Sequence, residues 1–145
     1  MGYRSDVRIT VSNNGYKRLN NYVNDYLNKN PQSEDNFNLL TDPDIFKQSK
    51  QSTYLGWNYV KWYEDSFKDV DSIMYGLNKL KEDNLSFRFS RIGEDYTDYE
   101  EEIFDSDNKD EPYLEYPSVV REFDDDYVYE QLDKEDIDTS NEVEI

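Results

Sequence analysis

The sequence predicts an α+β protein: an antiparallel sheet with two helices on one face, followed by an acidic C-terminal extension. Three observations carry this. Several short runs alternate apolar and polar residues with the period of a half-buried strand, and two longer runs between them repeat at the helical period. Charge is also segregated. Residues 1–92 carry 13 Lys+Arg against 12 Asp+Glu, whereas residues 93–145 hold 22 of the 34 acidic residues, opposed only by Lys109, Arg121 and Lys134.

The first strand is marked by Val7, Ile9 and Val11 alternating with Asp6, Arg8, Thr10 and Ser12, and Asn13-Asn14-Gly15 is expected to break it. Tyr16, Leu19, Tyr22, Val23, Tyr26 and Leu27 then follow at helical spacing, with Asn14 as the expected cap and Asn30-Pro31 as the stop. Polar residues 32–44 form a long connection pinned by Phe37, Leu39 and Leu40. Residues 45–48 and 53–63 read as two strands joined by a Ser-Lys-Gln-Ser turn, and Tyr54, Leu55, Trp57, Tyr59, Val60 and Trp62 make the second strongly β-prone. Asp69 is expected to cap a second helix with the apolar stripe Val70, Ile73, Met74, Leu77 and Leu80. Leu85, Phe87 and Phe89 alternate with Ser86, Arg88 and Ser90, giving a further strand that closes at Gly93. This β-α-β-β-α-β order suits a ferredoxin-like α+β sandwich.

The chain divides into a neutral body, 1–92, an extension, 93–132, and a terminal stretch, 133–145, that reads as frayed. The extension is unlike a disordered acidic tail, because Tyr96, Tyr99, Ile103, Phe104, Tyr113, Leu114, Tyr116, Val119, Val120, Phe123, Tyr127, Val128, Tyr129 and Leu132 recur between its carboxylates. Disordered segments lack such residues, so the extension is expected to pack on the body. Residues 99–104 read as an added edge strand, and 119–129 as another strand or a short helix.

Composition narrows the chemistry. Fourteen Tyr and seven Phe let a chain with little aliphatic bulk build a core. Without cysteine there is no disulfide framework or thiol nucleophile, and without histidine the commonest general base and zinc ligand are missing. Catalysis is not expected, nor is a cofactor. Asp124-Asp125-Asp126 and Glu100-Glu101-Glu102 offer hard oxygen ligands, but no calcium-loop pattern accompanies them, so no metal site is assigned. No apolar run is long enough to span a bilayer, and a net charge of −18 would be repelled by anionic lipid, so a membrane partner is not expected. The N-terminus lacks a charged-then-apolar leader, which makes the cytoplasm the expected compartment.

Three segments occur together: Met-Gly-Tyr-Arg-Ser-Asp-Val at the start, Val60-Lys61-Trp62-Tyr63 followed by Asp69-Val70, and Arg91-Ile92-Gly93-Glu94-Asp95. The combination resembles a family of short tailed-phage proteins that open with GYRSDV and carry later KWY and RIGE motifs. The resemblance implies a phage-encoded protein acting in the cytoplasm of a bacterial host, and it carries no established activity with it. The long stretch after Asp105 departs from the family's short acidic ending. In bulk composition the chain is also similar to phage anti-restriction and anti-CRISPR proteins that mimic DNA.

Concentrated acidity points to a basic partner. Duplex DNA carries one charge per about 3.4 Å per strand, and alternate residues of a β-strand lie about 6.6 Å apart on one face. Glu100/Glu102, Asp105/Asp107 and Asp124/Asp126 meet that spacing if extended. Glu94, Asp95, Asp98, Glu101, Asp110, Glu111, Glu115, Glu122, Asp125 and Glu130 would fill out the charged surface. The expected function is therefore inhibition of a basic host protein (a DNA-binding protein, CRISPR effector or restriction enzyme) by DNA mimicry, without direct nucleic-acid binding. An ordinary interface is the close alternative, with Tyr113, Tyr116, Phe123, Tyr127 and Tyr129 as aromatic anchors. A third possibility is a nucleotide or signal-molecule sponge, with Arg88, Arg91 and Lys61 forming an anion pocket on the body. Arginines beside an acidic segment otherwise serve as internal partners, here for Glu94, Asp95 or Asp98. Trp57 and Trp62 are assigned to the core. The oligomeric state is open.

Overall fold

A computed structural model describes residues 3–30, 38–63, 67–95, 97–117 and 123–144, with side chains to 136 in the last stretch. The elements run β1 (Ser5–Ser12), α1 (Asn13–Lys29), a 3-10 turn (Leu39–Thr41), β2 (Ile45–Gln48), β3 (Ser52–Val60), α2 (Lys68–Glu82), β4 (Phe87–Ile92), β5 (Tyr99–Phe104) and α3 (Asp125–Glu144). One five-stranded sheet has the order β2-β3-β1-β4-β5, with every neighbouring pair antiparallel. The α+β class and antiparallel sheet agree with the sequence. The bare two-helix sandwich does not match, because β5 widens the sheet beside β4 and a third helix is present.

Alternation along the strands separates two faces. Val7, Ile9, Val11, Leu55, Trp57, Phe87 and Phe89 join Leu19, Val23 and Leu27 of α1 and Val70, Ile73, Leu77 and Leu80 of α2 in the main core. Trp57 and Trp62 are both core residues, as expected, and lie against each other in a tilted pair with ring centroids 5.8 Å apart. The opposite face carries Tyr54, which forms a second cluster with Val128 and Leu132 of α3, all three fully buried. The sheet is therefore covered on both sides around β3.

Several boundaries differ from expectation for identifiable reasons. β1 feeds α1 without a break, and Ser12 rather than Asn14 is the cap, its hydroxyl accepting from Gly15 N at 3.0 Å. Phe67 occupies the cap position of α2 with no side-chain bond. Asp69 lies in the first turn with Asp71, where carboxylates suit the positive end of the helix dipole. Leu39 and Leu40 pin the long connection, whereas Phe37 lies outside the described residues. β3 ends at Val60 in a bulge: between Ser5 and Val7 the register with β1 slips by one residue, and Tyr59 takes φ 56°. Residues 99–104 form the expected edge strand. The end of the chain differs most, since residues expected to fray continue α3 to Glu144.

Candidate functional site

The acidic extension is fastened to the body by Arg8. Read along β1, Arg8 belongs to the polar, solvent-side set, yet it is only 4% exposed because α3 covers that face. Its Nε donates to Asp125 Oδ1 at 2.9 Å and its Nη2 to Asp125 Oδ2 at 3.1 Å, a two-pronged pairing. Nη2 also donates to Asn58 Oδ1 at 2.7 Å, and Nη1 to the carbonyls of Val7 and Trp57. Phe123 lies over the guanidinium at 4.8 Å. The Tyr54 hydroxyl donates to Asp125 Oδ1 at 2.6 Å, and burial, then this hydrogen bond and the carboxylate's charge, push its pKa far up. Burial alone would lower the pKa of Arg8, but the bonds and charge of Asp125 outweigh it and raise it. Gly56 makes room for this arrangement, because a Cβ there would overlap Val7 O and the Arg8 side chain.

Two further arginines bind the extension. Arg91 Nη2 meets Asp98 Oδ1 at 2.7 Å and its Nε meets Glu100 Oε1 at 2.6 Å. Arg91, and secondarily the Tyr3 hydroxyl at 2.6 Å, holds the Asp98 carboxyl below the ordinary aspartate range. Arg88 pairs with Asp105 at 3.2 Å beneath the rings of Tyr113 and Tyr116, at 5.9 and 4.7 Å. Arg88 and Arg91 sit three apart on one strand and so project from opposite faces, which separates the two halves of the expected anion pocket. Lys61 lies beyond the end of β3.

The expected partner-binding carboxylates thus fall into two sets. Asp98, Glu100, Asp105 and Asp125 pair with arginines. Asp107 accepts from Asn84, Glu94 from the backbone N–H of Arg4, and Glu111 from Ser12 and Ser86. Asp95 joins the same corner as Glu94, its N–H donating to the Tyr3 hydroxyl. Asp124 accepts from Tyr127 N at 3.2 Å and caps α3. Glu101, Asp110, Asp126 and Glu130 are exposed and Glu102 and Glu115 half-exposed; within this set only Glu130 meets a cation among the described residues, Lys134 at 3.8 Å. Glu122 lies outside the described residues. Only Glu100/Glu102 keeps the extended spacing. Asp105 and Asp107 follow the end of β5, and Asp126 lies in α3.

The aromatic anchors divide similarly. Tyr113, Tyr116 and Tyr127 are exposed, at 65%, 36% and 45%. Phe123 is spent on Arg8, and Tyr129 meets Tyr54 edge-on at 6.3 Å.

The three sequence motifs converge at one end of the sheet. The Tyr3 N–H donates to the Tyr63 hydroxyl, the Arg4 guanidinium lies over Tyr59 at 5.0 Å, and a Cβ on Gly93 would overlap Asp98 and the Tyr3 hydroxyl. Sequence reasoning passed over Tyr3, Arg4, Arg8 and Tyr54. Arg8 showed only as a charged residue on a strand face expected to be wet, Tyr54 only as one of the β-prone residues of its strand, and Tyr3 and Arg4 only as part of the opening motif, with no role attached.

Among the described residues no helix is long and apolar enough to cross a membrane, and no group of three or more acidic side chains is placed to hold a metal ion. Comparison with known protein families, with curated proteins and with solved structures found no match.

Proposed function

We propose that this chain is a phage-encoded, non-catalytic inhibitor that seats a rigid acidic surface on the nucleic-acid-binding face of a basic protein in the bacterial host. We read its body as a ferredoxin-like sandwich elaborated by β5 and α3. The observation that supports this most is the fastening of the extension to the body through Arg8–Asp125 and the Tyr54–Val128–Leu132 cluster. A tethered, flexible polyanion would lose much of its binding energy to ordering, whereas carboxylates on a packed strand and helix are held in place beforehand. Glu101, Glu102, Asp110, Asp126 and Glu130 are the side chains that would meet the partner.

Copying of phosphate spacing is carried by few residues. On β5, Glu100 is already half-neutralised by Arg91. On α3, Asp126 and Glu130 rise about 6 Å along the axis. An acidic interface with exposed Tyr113, Tyr116 and Tyr127 therefore fits better than a phosphate-by-phosphate replica.

The test is capture from bacterial lysate on the full chain and on a variant carrying Glu101→Gln, Glu102→Gln, Asp126→Asn and Glu130→Gln. Point substitutions are used because removing the chain after Asp105 would take away α3 and uncover Tyr54. A DNA-handling protein held only by the native chain, and eluted by salt and by duplex DNA, supports the proposal. Equal capture by the variant, or indifference to duplex DNA, overturns it.

A further inference from the structure

We infer that β5 is a strand-addition site, and that its occupant is an extended basic segment of the partner protein lying alongside Tyr99–Phe104. This rests on the acidic extension being the partner-binding part of the chain, and it states how that part would bind. β5 ends the sheet order, and among the described residues it pairs only with β4. Its outer edge therefore offers backbone donors and acceptors that no other described strand pairs.

Soluble proteins usually blunt such edges with lysine, proline or a bulge. β5 has none of these. Its register with β4 runs unbroken from Phe87↔Phe104 to Ile92↔Tyr99. The other edge strand, β2, is shorter, and its Lys47 is taken by Asp133 at 2.7 Å.

The side chains define the occupant. On the face shared with α3, β5 shows Tyr99 and Ile103, 58% and 48% exposed, around Glu101. Ile103 is the cross-strand neighbour of Arg88, whose guanidinium lies under Tyr113 and Tyr116, so an exposed apolar strip borders the open edge. On the other face no cation among the described residues pairs with Glu102, while Glu100 has Arg91. A matching strand carries adjacent cations, one for each face, flanked by apolar residues that cover Tyr99 and Ile103. A second copy of this chain does not fit, because pairing β5 with itself sets Glu100, Glu101 and Glu102 against their own kind.

The probe is a short synthetic peptide with a central Lys-Arg pair flanked by alternating valine and threonine, added to the full-length protein. A second peptide has the same side chains but is N-methylated at alternate residues, which removes backbone donors and keeps the charge. Strand addition predicts slowed amide exchange at Tyr99–Phe104 and an affinity loss of about tenfold or more on N-methylation. Replacing Glu101 and Glu102 by lysine should abolish binding while the native far-ultraviolet spectrum is retained. Equal affinity of the two peptides, or slowed exchange confined to α3, overturns strand addition and leaves charge-driven inhibition intact. Failure of both peptides to bind, with capture by the full chain still dependent on Glu101 and Glu102, also overturns strand addition alone. Loss of peptide binding and capture together overturns both.

Discussion

Asp125 Oδ1 accepts from both Arg8 Nε, at 2.9 Å, and the Tyr54 hydroxyl, at 2.6 Å, so one carboxylate oxygen joins two strands to the start of α3. Breaking a buried pair strands the remaining charge, at a cost of about 3–5 kcal/mol. Asp125 is partly exposed, so Asp125→Ala is expected near the lower end of that range by urea unfolding. Arg8→Met combined with Asp125→Leu should recover part of the loss, since no unpaired charge then remains.

The end of the chain should contribute to global stability. Leu132 is fully buried against Tyr54 and Val128, and Leu→Ala at such sites costs about 2–5 kcal/mol. Leu132→Ala should therefore shift the whole unfolding transition, seen equally by tryptophan fluorescence from the other face of the sheet. A shift in the helical signal alone would mean that α3 melts separately.

Gly56→Ala tests the sheet beneath this contact. The added methyl would overlap Val7 O, a backbone atom of the central strand that has nowhere to go. Overpacking of this kind costs about 1–3 kcal/mol, and the upper end is expected here.

Much of this was legible in the sequence, for a physical reason. Periodicity reports which residues share a face, so Val7, Ile9 and Val11 and the α2 stripe could be placed, and the β5 segment could be read as a strand. It does not report what lies over the other face. Arg8, Thr10 and Ser12 therefore looked solvated, although each is buried. The same blindness put Asp125 among the partner-binding carboxylates, and no local signal distinguishes it from Asp126 one residue later. The recurring aromatic and apolar residues end at Leu132, which is why residues 133–145 read as frayed, whereas Lys47–Asp133 and Ser49–Glu135 tie the start of that stretch to β2 and the following turn.

Two carboxyls should titrate on opposite sides of their ordinary values. Asp98 is lowered by Arg91 and then by Tyr3. Its stabilisation is complete above the unfolded aspartate value of about 3.9 and is lost as pH falls through the lower folded value. Glu135 is raised by burial, partly offset by Ser49. Its contribution is complete below the unfolded glutamate value of about 4.3 and is lost as pH rises through the folded value. Carboxyl-resolved NMR titration checks both signs, and Tyr3→Phe should move Asp98 upward.

The most direct measurement separates carboxylates that hold the fold from those proposed to face a partner. Two full-length variants are compared with the native chain: Asp98→Asn with Asp125→Asn, and Glu101→Gln with Glu102→Gln, Asp126→Asn and Glu130→Gln. For each, the urea midpoint is measured alongside the ability to displace from duplex DNA a DNA-binding protein that the native chain captures. The outward set should keep its stability within about 0.5 kcal/mol and lose displacement, because exposed substitutions rarely exceed that. The inward set should unfold earlier. An outward variant that displaces DNA as well as the native chain does would contradict the division, and with it the proposed function.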